Sequence, residues 1–374
     1  MRLGLAFLTA AALAASAMPA AAADPSALRQ AFSAMPRAAA RSAGDGILAS
    51  MIDLAAARTL VPDGAADLPP GLWQRLGVAG QAIFPFRELA LPADPRDREL
   101  GLSPARIAAF AGYGTPPADA AIWILADEAD ARTIFAALPA RGFSDAGRGV
   151  LANGTPNGLD LAKAQPGNPW RGQLGKTSAV ARAGRLLIQA GAPDLAAAGS
   201  AVAAGDSLAD DPAVSTVLKG IEEAADGAVV LQAILVPASI GRVDSGRQAS
   251  PEDTAPPLPP YTLALIADLE HPGRERGAAL AFAYPDCARA AEAASRFVDR
   301  WTSVRSRLTA RTMNDMAPST ATTRTVQGPD GSCAAVVVLT GPAPAEAGDV
   351  GNPQIRLIGD AILQRDFVAA TAAP

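Results

Sequence analysis

Two uninterrupted apolar runs of strand length, AAIWILA at 120–126 and AVVLQAILV at 228–236, constrain what this chain can fold into more than any other feature. Both are too short for a membrane-spanning helix, and each predicts a buried strand. Around them the chain alternates strand pairs with amphipathic helices. Asp127 is placed to cap a helix whose apolar positions Ala131, Ile134, Phe135 and Leu138 keep 3/4 spacing. Residues 148–152 read as a short strand, and 177–182 with 185–190 as a hairpin across Ala183-Gly184. Asp194 opens an Ala-rich helix. Residues 261–269 pair with 277–284 across a turn holding Pro272-Gly273, and 321–327 pair with 333–340 across Gly328-Pro329-Asp330-Gly331. Between these hairpins, a helix from Cys287 carries Ala290, Ala294, Phe297, Trp301, Val304 and Leu308 as one apolar stripe. Residues 352–368 predict a closing helix.

The N-terminal part reads differently. Residues 26–61 are Ala-rich with helical spacing interrupted at Pro36 and Gly44–Gly46, which predicts two or three short helices. Residues 62–98 hold Pro69-Pro70, Pro85, Pro92 and Pro95 and predict an irregular wrap anchored by Trp73, Phe84 and Phe86. Ser103 is placed to cap a short helix toward Gly112. The fold class expected is α+β: two-layer antiparallel sheets with helices on one face, with duplicated ferredoxin-like (split βαβ) halves as the specific form. The units are 24–99 as a helical and Pro-rich N-terminal segment, 100–242 as a first α+β unit and 261–374 as a second. The five-proline stretch 243–260 is the linker or long loop between them.

The first 23 residues predict a secretory leader: Arg2, an apolar run from Leu3 to Met18, then Ala21-Ala22-Ala23 before Asp24. No Cys follows the cleavage site, so no lipid anchor is expected. Few lysines and much alanine read as the bias of a GC-rich bacterial genome, which predicts a periplasmic or secreted protein. The chain has 32 Lys and Arg against 37 Asp and Glu, a formal charge of −5 that becomes −6 once Arg2 is removed. That balance argues against nucleic acid as a partner, and no other segment reaches the length of a membrane span. The two cysteines, Cys287 and Cys333, predict one disulfide in an oxidising compartment, worth roughly 3–4 kcal/mol by loop closure.

The order LGLSP at Leu100, IWIL at Ile122, GF at Gly142, GVL at Gly149, RLLIQAG at Arg185 and SLADDPAV at Ser207 resembles a loose pattern in secreted bacterial α+β proteins of unknown function. The resemblance spans Leu100 to Leu235. It implies a strand–helix–hairpin unit and brings no catalytic residues.

Several motifs suggest chemistry. Gly205-Asp206-Ser207-Leu208 reads as the nucleophile block of a GDSL ester hydrolase, with Asp268 and His271 as its D-x-x-H. Yet Ser207 follows helical rather than strand sequence, about 60 residues separate the motifs, and the nearest Asn-Asp pair, Asn314-Asp315, comes after the histidine. Ser207 with Asp210 as a capping box, and Asp211-Pro212 as an N-cap and N1 pair, explains the same residues. Gly175-Lys176-Thr177 lacks the earlier phosphate-loop glycine, since position 170 is Trp170. One histidine and two paired cysteines leave no zinc shell. The Asp127, Glu128, Asp130 group is an ordinary first-turn complement, and Arg300, Arg305, Arg307 and Arg311 read as solvated charge with an anion site as the alternative. Asn153-Gly154-Thr155 reads as a turn.

No cofactor and no metal are expected, and the chain reads as a non-catalytic binding or assembly factor. Its partner is either another protein or a small apolar ligand. Trp73, Phe84, Phe86 and Trp170 either line a groove or form a satellite core. The alternative is the ester hydrolase using Ser207 and His271.

Overall fold

Along the strand Cys333–Gly341, Ala335, Val337 and Leu339 enter one apolar core while Ala334, Val336 and Val338 enter another. Successive side chains of a strand point to opposite faces, so this sheet is buried on both sides. The computed structural model describes residues 26–41, 46–61, 68–91, 104–241, 255–271, 275–343, 346 and 349–373. The leader at 1–23, the Ser103 cap, the Pro272-Gly273 turn and most of the 243–260 segment lie outside them.

The strands are β1 (Ala49–Asp53), β2 (Ile107–Tyr113), β3 (Ala120–Leu125), β4 (Ser144–Asp145), β5 (Val150–Ala152), β6 (Ala179–Ala183), β7 (Leu186–Ala190), β8 (Val229–Pro237), β9 (Leu263–Glu270), β10 (Arg276–Tyr284), β11 (Thr320–Gln327) and β12 (Cys333–Gly341). They form one 12-stranded sheet in the order β11-β12-β10-β9-β8-β1-β2-β3-β7-β6-β5-β4, and every pairing is antiparallel. The helices are α1 (Ala27–Ser33), α2 (Leu54–Arg58), α3 (Pro70–Gly80), α4 (Phe84–Leu89), α5 (Glu128–Ala137), α6 (Pro193–Ser200), α7 (Pro212–Ala225), α8 (Cys287–Ser303), α9 (Met313–Met316) and α10 (Pro353–Leu363).

The strand order is a repeat. Outward from the central β1–β8 pair, one side runs β1-β2-β3-β7-β6 and the other β8-β9-β10-β12-β11. Each side consists of a first strand (β1 or β8), a hairpin, a helix (α5 or α8) and a second hairpin whose last strand lies beside the first hairpin. The chain order of these shared elements is thus β-β-β-α-β-β, not the β-α-β-β-α-β of a ferredoxin-like half.

Helices cover both faces, which corrects the two-layer expectation. Residues of α2, α3, α4, α5, α8 and α10 share one core with Ile52, Phe110, Trp123, Ile266 and Val337. On the opposite face α1 and α7 pack on Met51, Ile122, Leu265 and Val336, and Ala196 of α6 packs on Ala179 and Ala190. A single sheet joins residues on either side of the expected linker, through β8 and β9. The Cys287–Cys333 disulfide, with Cα atoms 5.0 Å apart, fastens the start of α8 to the start of β12.

Four further differences are local. Residues 107–113 are a strand rather than the end of a helix from Ser103, because they lie between β1 and β3, where burial outweighs the helix propensity of Ala. Ala49–Asp53, in a stretch expected to be helical, is a central strand. The expected wrap contains α3 and α4 instead: Pro at N1 starts α3, and Leu72, Leu76 and Ala79 at 4/3 spacing bury it. Finally, α8 ends at Ser303, one turn short of Leu308, which is 56 % exposed.

Candidate functional site

One wall of a surface cleft is built by the connection between β5 and β6, residues 153–178, which is long and rich in Gly, Pro and Asn yet well fastened. Asn153 donates from Nδ2 to the Trp170 carbonyl at 3.3 Å and accepts the Ser178 N–H at 2.8 Å. Gln189 donates to the Pro169 carbonyl and to Ser178 Oγ, and accepts the Trp123 indole N–H at 2.9 Å. Gly175 sits at φ +61°, and a Cβ there would come within 1.8 Å of the Asp160 carbonyl oxygen. Only glycine permits that approach, so Gly175 of the Gly-Lys-Thr motif is a packing residue, and it sets the positions of Leu174 and Lys176 beside it.

Held in this way, the connection closes one side of a cleft of about 820 Å³. Its other walls come from α4, the turn between β2 and β3, and the C-terminal end of α10. Leu159, Leu174 and Leu363 line it at 64 %, 55 % and 56 % exposure. Such exposure of large aliphatic side chains around one concavity marks a contact surface. Ile47, Ile240 and Ile362 add to the apolar lining.

The polar groups of the cleft gather around Phe84. The Arg87 guanidinium lies 5.8 Å and Lys176 Nζ 5.1 Å from the centre of its ring. Lys176 pairs with Asp119 at 3.2 Å. Glu88, 2 % exposed, accepts the Gly167 N–H at 3.2 Å.

Of the four aromatic residues expected at a groove, only Phe84 lines the cleft. Phe86 and Trp170 are 1 % and 2 % exposed, and Trp73 is half-buried against the same core. These three belong to a continuous ring series, Trp73–Phe86–Phe110–Trp123–Trp170–Phe143, with centroids 4.7–6.1 Å apart. They form core, and of the four only Phe84 reaches the cleft.

The Ser207, Asp268 and His271 set is not brought together. Ser207 makes the expected capping box with Asp210, and Leu208 beside it packs on the face covered by α1 and α7. Asp268, fully buried, points to the opposite face. There Arg75 of α3 grips it through Nε at 3.0 Å and Nη2 at 2.7 Å, and donates from Nη1 to Glu270 at 2.6 Å. Gln232 and Asn352 complete the Asp268 shell with amide N–H bonds of 2.9 and 2.7 Å. Burial pulls the Arg75 pKa down, but the attraction and hydrogen bonds of Asp268, then of Glu270, reverse this and hold it above its ordinary value. Asp268 is therefore a structural counter-ion. His271, in the β9–β10 hairpin, has a buried Nε2 with no hydrogen-bond partner among the described residues, and its backbone N–H donates to the Glu275 carbonyl.

The remaining motifs are structural. Asp127 caps α5 and Asp130 pairs with Arg106 at 3.0 Å. Arg300 is not solvated: at 3 % exposure it donates to the carbonyls of Val368 and Ala255. Arg305 donates to the Ala310 carbonyl, so the four arginines do not form an anion site together. Asn153 is buried, as its two bonds require. Among the described residues no group of three or more His, Cys, Asp or Glu is placed to hold a metal ion, and no helix is long and apolar enough to cross a membrane.

The sequence reading missed Leu159, Leu174, Leu363 and Arg87. A signal for the first two exists: single leucines between Gly and Asp or Gln in a Pro-, Gly- and Asn-rich stretch have no periodic partners to draw them into a core. No protein-family model, no curated protein and no solved structure matches this chain.

Proposed function

We propose that this chain is an exported, non-catalytic binding protein that holds a small apolar ligand in the cleft between α4, the 153–178 connection and the end of α10. The observation that carries the reading is the convergence of Leu159, Leu174 and Leu363, each more than half exposed, on one concavity of ligand size. Ser207 and Asp268 face opposite sides of the sheet, which counts against the ester-hydrolase alternative.

Native mass spectrometry of protein purified from its own source tests this. A discrete small-molecule adduct is expected on the wild-type chain and is expected to be lost in a Leu159→Asp, Leu174→Asp variant of unchanged circular dichroism. The denatured mass reports cleavage after Ala23. A bare wild-type chain that also fails to bind alkyl probes refutes the reading.

A further inference from the structure

The charges around the cleft point to the kind of apolar molecule it takes. The chain carries a formal charge of −5, yet the cleft is lined by three cations, Arg87, Lys176 and Arg365, against two acids, Asp119 and Glu88. Lys176 and Asp119 neutralise one another at 3.2 Å. Glu88 is 2 % exposed and accepts the Gly167 N–H, so its carboxylate is turned away from direct contact with an occupant. Arg87 is exposed and makes no ion pair among the described residues; its contact is the Phe84 ring. An acidic chain thus presents the Arg87 guanidinium at the edge of an aliphatic cleft. A guanidinium resting on a ring keeps its N–H groups available and pairs best with a planar anion in a bidentate manner.

We infer that the occupant is an amphipathic monoanion, an alkyl chain ending in a carboxylate, with its head at Arg87 and its chain along Leu159, Leu174 and Leu363. This rests on the binding role proposed for the cleft. The acidic remainder of the surface repels such a ligand elsewhere, so Arg87 also selects the direction of entry.

Isothermal titration with three probes of one twelve-carbon chain, the ionic ones below their micelle concentrations and the alcohol below its solubility limit, tests it: laurate, 1-dodecanol and dodecyltrimethylammonium. Laurate is expected to bind about tenfold or more tighter than dodecanol, the worth of one charge-assisted hydrogen-bonded contact, and the cationic probe weakest. Arg87→Ala is expected to remove laurate's advantage and leave dodecanol unchanged, while Arg87→Lys restores part of it. Leu174→Asp is expected to weaken laurate and dodecanol together. Equal affinity for laurate and dodecanol, or an Arg87→Ala protein that still prefers laurate, overturns the anion inference and leaves the apolar cleft standing. No binding of any probe overturns both.

Discussion

Arg75 is the side chain whose loss the structure marks as most costly, and the cost can be worked out. Its guanidinium donates at 3.0, 2.7 and 2.6 Å to two carboxylates, Asp268 and Glu270, in a site where Arg75 and Asp268 side chains are 1 % and 0 % exposed. Two unit charges at this separation attract by about 4 kcal/mol at an effective dielectric of 20. Much of that offsets desolvation, so the pair adds little over an apolar replacement, but removing one partner strands the other. Arg75→Met leaves Asp268 with only the Gln232 and Asn352 amides, and Glu270 with Arg276 at 3.5 Å. The expected loss is about 3–5 kcal/mol. In Arg75→Met, Asp268→Leu both amides keep a backbone acceptor, the Arg75 and Gly277 carbonyls respectively. The double variant is therefore expected to be more stable than the sum of the singles implies, by about 2–3 kcal/mol. Urea unfolding followed by tryptophan fluorescence measures both, with Trp73, Trp123 and Trp170 in the core that α3 covers. Additive singles, or an Arg75→Met loss below about 1 kcal/mol, would refute the coupled-network reasoning.

Three other outcomes are expected. A Cβ on Gly80 would meet Phe86 ring carbons at 2.2 and 2.3 Å, and that ring is 1 % exposed, so Gly80→Ala should cost about 1–3 kcal/mol in thermal or urea melts and be partly relieved by Phe86→Leu. Reducing the Cys287–Cys333 bond, which closes a separation of 46 residues, should cost about 4 kcal/mol in the same melts; an unchanged midpoint would show that α8 stays docked without it. Burial, opposed by the Ala56 and Ala55 N–H groups and Arg58, raises the Asp53 pKa above 3.8. The stability this group contributes is then fully present below 3.8 and lost as pH rises through the folded-state pKa, so wild type should gain on Asp53→Asn as pH falls through that window. The asparagine keeps the α2 cap, so a parallel pair of stability–pH curves would contradict the shift.

What could be read from the sequence followed the strength of local signals. The hairpins at 179–190 and 320–341 and the helix after Asp127 carry both periodicity and turn residues, and they stand where expected. The strands Ala49–Asp53 and Ile107–Tyr113 carry no strand periodicity: their Ala content favours helix, and pairing with β8 and β3, through residues such as Leu235 and Trp123, makes them strands. The burial of Arg300 was hidden for a similar reason. Its acceptors are carbonyls of 255 and 368, brought to the polar flank of α8 from either side in sequence. The cleft was half legible, since Phe84 was singled out while Arg87, one turn further along α4, was not.

The two repeats explain why the cleft lies where it does. Between α8 and β11 the second repeat spends only residues 304–319, including the short α9, and its hairpin closes directly across 328–332. In the first repeat, residues 138–178 occupy the equivalent place between α5 and β6, and they supply β4, β5 and the connection bearing Leu159, Leu174 and Lys176. The opposing wall is the end of α10, which follows the last strand of the second repeat. The cleft-lining residues thus come from the segments in which the repeats differ and not from the strands they share. Loops on a rigid scaffold can change their lining without disturbing the core. Substitutions at Leu159, Leu174 or Arg87 should therefore alter binding with little effect on unfolding, whereas those at Arg75, Gly80 or Phe86 should do the reverse. A cleft variant that unfolded the sheet would break that division.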